Sequence, residues 1–80
     1  MTTGQKILIG RIEGYRKDKN LRNYSVARFG DVPVSTLMHI TSGDTKNPGV
    51  FTILRICEGL GVKPSEFFDD ENFINIPVED

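Results

Sequence analysis

The chain has 80 residues, of which 38% are hydrophobic and 26% are charged, a composition that is ordinary for one small folded domain. Its apolar runs are far shorter than the roughly 20 residues of a membrane-spanning helix, and the N-terminal apolar stretch is too short for a signal peptide. The single cysteine, Cys57, excludes an internal disulfide. We therefore expect a cytoplasmic protein with no membrane association.

Charge is distributed unevenly along the chain, although the net charge is only −1. Residues 1–68 hold all ten basic residues and six acidic ones, which gives +4, whereas residues 69–80 hold five acidic residues and no basic one. A basic body steers a protein toward an anionic partner such as nucleic acid. Surface lysines scattered without function would give the same modest excess, so charge alone leaves both interpretations open.

Two short helices are predicted in the first part of the chain. In residues 6–20, Ile9, Ile12 and Tyr15 or Arg16 recur at a spacing of three or four residues, which is typical of a helix with one buried stripe. A second apolar pattern contains Leu21, Val26, Ala27 and Phe29 or Gly30. It ends at Gly30-Asp31, two residues that tolerate the conformations of a turn.

Three more helices are predicted after that turn. Pro33 suits the start of the third, which runs to about Thr41 with Leu37 and Ile40 inward. The fourth spans about 49–60, and its predicted buried stripe is Val50, Ile53, Leu54, Cys57 and Leu60. The fifth opens at Pro64-Ser65-Glu66, with Ser65 as the expected N-cap. Its two phenylalanines, Phe67 and Phe68, are expected in the core, or one of them at a dimer contact. Residues 69–80 form an acidic tail, either disordered or an extended edge or interface segment.

The sequence therefore predicts an all-α fold of five short helices, in which a turn of about three residues joins helices two and three as in a helix-turn-helix motif. Several pieces in series carry a resemblance to a known family: RIEGYR in helix 1, the block from Leu21 to Ala27, VPVSTLMHITSG, NP before helix 4, and ILRICEGLGVKPSEFF. With them, residues 7–68 resemble the lambda-repressor-like (Cro/Xre type) helix-turn-helix family. The resemblance implies a DNA-binding domain over residues 1–68, followed by the acidic C-terminal tail.

In that family the third helix lies in the DNA major groove, and the resemblance implies contacts residue by residue. The implied base-contacting residues are Val34, Ser35, Met38 and His39. The implied phosphate-contacting residues are Arg22, Asn23, Thr36, Thr41, Ser42, Lys46 and Asn47. The uncharged outer face of helix 3 suits this role, because valine and methionine can contact thymine methyl groups and serine or histidine can bond to base edges.

The chain departs from the family pattern in ways that affect the phosphate contacts more than the fold. Helix 2 begins with Arg22-Asn23 where the family usually has Ser-Gln, and Asp31 stands where the turn usually carries glycine. Thr41 replaces a common glutamate, and the loop GDTKNP has an extra residue. Each contact residue also has an ordinary alternative as a solvated surface side chain or a peripheral core residue.

No glycine-rich phosphate loop, metal-ligand cluster or Ser/His/Asp set is present, so we expect no enzyme activity, cofactor or metal. We predict a DNA-binding transcriptional regulator of bacterial, phage or mobile-element type, most simply a repressor. It would bind a double-stranded operator as a homodimer. The alternative is a protein-interaction module, such as an antitoxin-like protein that binds a partner through its C-terminal tail. Substitution of Ser35 and His39, or deletion of residues 70–80, would distinguish the two.

Overall fold

Six helices form the described part of the chain, residues 1–76 of a computed structural model, and no strand occurs within those residues. In chain order they are α1 (Thr3–Asp18), α2 (Asn23–Phe29), α3 (Val34–Thr41), α4 (Val50–Leu60), α5 (Pro64–Phe67) and α6 (Glu71–Ile74). The all-α class is confirmed. The predicted count of five helices is wrong, because the acidic segment after α5 contains the short helix α6. Residues 77–80 of the predicted tail lie outside the described residues.

Helix α1 begins with a reciprocal capping box, three residues earlier than predicted. The Gln5 backbone N–H donates to Thr2 Oγ1 at 3.1 Å, and the Thr2 backbone N–H donates to Gln5 Oε1 at 2.9 Å. These bonds satisfy donors that a helix N-terminus otherwise leaves unpaired. The predicted stripe is corrected at its first member, since Leu8 rather than Ile9 packs against the core beside Ile12.

One hydrophobic core joins α1 to α5. Its buried members are Ile12, Val26, Ala27, Leu37, Ile40, Ile53, Ile56, Cys57, Leu60, Val62 and Phe67. The expected burial of Cys57 is confirmed. Two expected core residues are instead exposed, Val50 (62%) and Phe68 (40%). Of the two alternatives at the end of the second apolar pattern, Phe29 is 71% exposed. At the end of α2 it is Gly30, not Phe29, that is buried.

Helices α2 and α4 cross with their backbones in close approach at two glycines. A Cβ atom on Gly59 would lie 2.0 Å from the Val26 carbonyl oxygen, and one on Gly30 would lie 2.2 Å from the Arg55 carbonyl oxygen. No side chain fits in either place. The two glycines therefore set the distance between α4 and the helix-turn-helix unit formed by α2 and α3.

The turn between α2 and α3 holds Asp31 in a left-handed conformation, with φ = 57°. Glycine adopts this conformation without strain, and aspartate tolerates it better than most residues. The Val32 N–H donates to the Ala27 carbonyl at 3.0 Å across the turn. Arg55 of α4 stabilises this turn, because its Nη1 donates to the Asp31 carbonyl at 3.2 Å.

The chain after α4 is attached to α1 through Arg11. Its guanidinium donates to the carbonyls of Phe67 and Glu66, both at 2.8 Å, and lies 3.4 Å from the Asp70 carboxylate. The predicted N-cap at Ser65 is wrong: Lys63 is the N-cap of α5, and Pro64 takes the first helical position, where it has no N–H to leave unpaired.

Helix α6 continues the core instead of forming a free or extended tail. Asp70 caps it by accepting from the Asn72 N–H at 2.8 Å. The Phe73 ring lies 6.3 Å from the ring of buried Phe67 and 5.2 Å from that of Phe68. The predicted disordered or extended state is therefore wrong for residues 71–74. Ile74 points away from this cluster and is 77% exposed.

Candidate nucleic-acid interface

Helix α3 has one buried face and one exposed face, as the sequence predicted. Leu37 and Ile40 are at most 2% exposed and anchor the helix to the core. The four residues predicted to contact bases all lie on the exposed side: Val34, Ser35, Met38 and His39. Their accessibility is thus confirmed, while their role on DNA stays a prediction.

The exposed face of α3 carries no Asp, Glu, Lys or Arg. Val34 is 41% exposed and Met38 is 47% exposed, so two apolar side chains face solvent on a helix of eight residues. Exposed apolar residues without charged neighbours favour a surface that is covered in use. A major groove about 12 Å wide admits a helix and presents methyl groups along with donors and acceptors.

At the start of α2, both predicted phosphate-contacting residues are near the surface. Arg22 is exposed and serves as the N-cap residue, but its side chain does not cap the helix. Asn23 is half-buried, and its amide oxygen Oδ1 is buried with no hydrogen-bond partner among the described residues. An unpaired buried acceptor costs about 1–3 kcal/mol, so this amide is an unusual feature of the free protein.

The predicted phosphate contacts on α3 and just after it fall into two groups. Lys46 and Asn47 are exposed in the loop before α4, and Thr36 is half-buried. The hydroxyls of Thr41 and Ser42 instead donate to carbonyls of α3, at 3.2 Å to Leu37 and 3.2 Å to His39 respectively. Those two hydroxyls would have to rotate before they could donate to a phosphate.

Buried Gln5 fixes the loop after α3, a role that the sequence analysis missed. Its Nε2 donates to the carbonyls of Gly43 at 3.1 Å and Thr45 at 3.3 Å, and Gln5 is only 6% exposed. The Thr45 N–H in turn donates to the His39 carbonyl at 3.1 Å. The Thr-x-x-Gln pattern signals the capping box, but nothing local signals the bonds to a loop about 40 residues away.

Asp44, in the same loop, faces the predicted base-contacting histidine. His39 Nδ1 lies 3.2 Å from Asp44 Oδ2, with the two side chains 63% and 70% exposed. The sequence analysis did not select Asp44, because an acidic residue is unexpected in a surface that approaches DNA. The pair places one carboxylate at the end of the exposed face of α3.

Other chemistry has little support within residues 1–76. Cys57 is fully buried, and burial raises the pKa of its thiol, so the reactive thiolate is disfavoured. No three His, Cys, Asp or Glu side chains of the described residues are grouped as metal ligands. None of the described helices is both long and apolar enough to cross a membrane.

Comparison with known proteins agrees with this geometry. The model of the helix-turn-helix family HTH_3 matches residues 12–67, which include α2 to α5 and the second half of α1. No curated protein and no solved structure gives a significant match. The family match covers well over half of the chain and contains the whole candidate interface from Arg22 to Asn47. The chain therefore belongs to the Cro/C1-type, lambda-repressor-like helix-turn-helix family of DNA-binding transcription regulators.

Proposed function

We propose that this protein is a sequence-specific transcriptional repressor that binds an operator in double-stranded DNA as a homodimer and reads the major groove with α3. The observation that carries the proposal is the uncharged, partly apolar outer face of α3, held on a core by Leu37 and Ile40. Two apolar side chains, Val34 and Met38, on an exposed face without charge favour a surface that is covered in use. Base edges and thymine methyl groups give these side chains a partner.

Base contacts are assigned to the four exposed residues of α3. Val34 and Met38 pack against thymine methyl groups, and the Ser35 hydroxyl donates to or accepts from a base edge. His39 lies on the same face, one turn along from Ser35. Because direct contacts distinguish base pairs by about 1–3 kcal/mol each, a few of them suffice for a selective site.

Phosphate contacts are assigned to the two ends of the helix-turn-helix unit. Arg22 and Asn23 lie at the start of α2, and Lys46 and Asn47 lie in the loop before α4. Helix α4 also has no side-chain cap at its N-terminus, where Gly49 is the N-cap, so its first N–H groups are free to approach an anion. Such contacts fix the position of α3 in the groove without carrying sequence information.

Dimer formation is proposed because one α3 helix covers too few base pairs for a selective site. Two copies related by a twofold axis would read half-sites about 34 Å apart, one turn of the DNA helix. A dimer that covers promoter DNA blocks polymerase without any further contact, so repression is the simplest outcome. A reporter gene downstream of a promoter that contains the selected operator should lose expression when the protein is co-expressed.

The test starts with selection of binding sites from random DNA, followed by fluorescence anisotropy with competitor DNA. We expect an inverted repeat, and we expect the Ser35→Ala/His39→Ala variant to lose at least tenfold in affinity for it. The matched control is Ser65→Ala/Asn72→Ala, which alters two exposed residues of α5 and α6 and should bind as the unaltered protein does. Failure to enrich any sequence would contradict the proposal.

The second candidate, a partner-binding module, is favoured by one observation: Ile74 is 77% exposed on an otherwise acidic segment. A basic partner with an apolar pocket would suit it. Deletion of residues 70–80 no longer tests this cleanly, because it would also remove Phe73 from the core and Asp70 from Arg11. Ile74→Ser, compared with Phe29→Ser at an apolar residue of α2 that is 71% exposed, separates partner binding from folding.

A further inference from the structure

His39 and Asp44 are juxtaposed in a defined way at the end of α3. Asp44 Oδ2 lies 3.2 Å from Nδ1, one of the two ring nitrogens of His39. The other nitrogen, Nε2, has no hydrogen-bond partner among residues 1–76. It is therefore the edge of the ring that remains available to an incoming base.

The position of Asp44 is built into the fold rather than left to a free loop. Its two neighbours, Gly43 and Thr45, both accept hydrogen bonds from the amide of buried Gln5. The Thr45 N–H donates back to the carbonyl of His39 itself. The backbone on both sides of Asp44 is thus tied to α1 and to α3, which holds the carboxylate beside the ring.

The chemistry of the pair decides which ring nitrogen carries the proton. An ionised carboxylate only accepts hydrogen bonds, so Nδ1 must donate and must carry the hydrogen. In the neutral ring, Nε2 then bears a lone pair and only accepts. In water this preference is weak because the pair is exposed, but it strengthens when an interface excludes water and lowers the local dielectric.

We infer that Asp44 is a positioning residue for specificity: it holds neutral His39 in the Nδ1–H form, so that Nε2 accepts a hydrogen bond from an amino group in the major groove. The amino groups exposed there are adenine N6 and cytosine N4, whereas guanine offers only acceptors. This inference rests on the proposed function, since it assigns a base preference to α3. In the opposite form, with the hydrogen on Nε2, the ring would instead donate to an acceptor such as guanine N7.

The first test needs no DNA and uses the full chain without a histidine tag. His39 is the only histidine, so the protein gives one pair of ring nitrogen-15 resonances. At pH 8, where an unperturbed histidine is neutral, we expect a detectable share of the Nδ1–H form in the free protein. Asp44→Ala should shift the pair toward the Nε2–H form, while Asp18→Ala, which removes an equal charge at the far end of α1, should leave it unchanged.

The second test uses the operator obtained by selection from random DNA, with each base pair substituted in turn. At the pair that responds to His39→Ala, the unaltered protein should prefer adenine or cytosine over guanine on the contacted strand by roughly tenfold. Asp44→Ala should abolish or reverse this preference at that pair alone. Asp18→Ala should preserve it. The relative preference is the readout, because removing any acidic residue near DNA raises affinity for all sequences.

The outcomes separate the inference from the function on which it rests. A balance of ring forms that Asp44→Ala leaves unchanged, or a base preference that it leaves intact, overturns the inference even if selective DNA binding is normal. Absence of any selected DNA sequence overturns the proposed function, and with it the assigned base preference, before a variant is made. A shift in ring form together with a changed preference at one base pair supports both.

Discussion

The close crossing of α2 and α4 makes Gly59→Ala a sharp test of the fold that supports α3. The new Cβ would lie 2.0 Å from the Val26 carbonyl oxygen and 3.1 Å from the Gly30 nitrogen. Real Cβ contacts are hardly ever shorter than 3.0 Å, so the two backbones must separate by about 1 Å. Neither neighbour is a flexible side chain that can move aside.

The expected cost follows from two opposing effects. Alanine in place of glycine favours a helix by up to ~1 kcal/mol, whereas overpacking of a core typically costs ~1–3 kcal/mol, and more where backbone must move. We expect a net loss of about 2 kcal/mol in the free energy of unfolding. For a domain of this size that corresponds to a fall in melting temperature of roughly 8–16 °C.

The matched control is Gly14→Ala, in the middle of α1, where a Cβ would meet nothing within 4 Å. Only the helix propensity acts there, so we expect a gain of about 0.5–1 kcal/mol. Urea unfolding followed by far-ultraviolet circular dichroism measures both changes with the same baseline. If Gly59→Ala is as stable as the unaltered protein, the backbones of α2 and α4 are not in contact and this reasoning is refuted.

Three further predictions concern a helix-end clamp, the buried thiol and a phosphate contact. Arg11→Met should lower the free energy of unfolding by about 2 kcal/mol, because it removes charged hydrogen bonds to two carbonyls at the end of α5. The control Arg28→Met, at an exposed arginine, should change it little. Equal urea midpoints for the two variants would show that Arg11 does not stabilise the end of α5. Cys57 should react with a disulfide reagent only as fast as the protein unfolds, and rapid labelling at neutral pH would contradict its burial. Because burial raises the pKa of this thiol, its contribution to stability is complete below the unfolded pKa of about 8.5 and is lost as the pH rises through the higher folded value. Lys46→Ala should reduce the magnitude of the slope of log affinity against log salt concentration by about 0.9, whereas Lys63→Ala should leave it unchanged. Identical slopes for the two variants would show that Lys46 does not contact a phosphate.

The sequence was most informative for α3. It predicts Leu37 and Ile40, three residues apart, on the inward face, and both are buried. The pattern failed where apolar residues are adjacent. Leu8 and Ile9 offer two possible phases for α1, and the run from Val50 to Leu54 is apolar nearly all round, so periodicity cannot say which side faces solvent.

Long-range polar contacts were beyond sequence reasoning altogether. A buried glutamine is rare, and Gln5 is buried only because two loop carbonyls about 40 residues away need its amide. Helix α6 was missed for a similar reason. Four residues have too little intrinsic helical preference to be recognised, and α6 is stabilised by the packing of Phe73 and by the Asp70 cap.

At both ends of α3, residues from outside the helix-turn-helix unit hold the adjoining segment in place. Two buried side chains, Leu37 and Ile40, anchor the helix to the core. Arg55 of α4 holds the carbonyl of Asp31 in the preceding turn, and Gln5 of α1 holds the loop that follows. Base recognition requires side chains placed to within a fraction of an ångström. Substitutions at Arg55 or Gln5 should therefore reduce operator selectivity without touching a residue that contacts DNA.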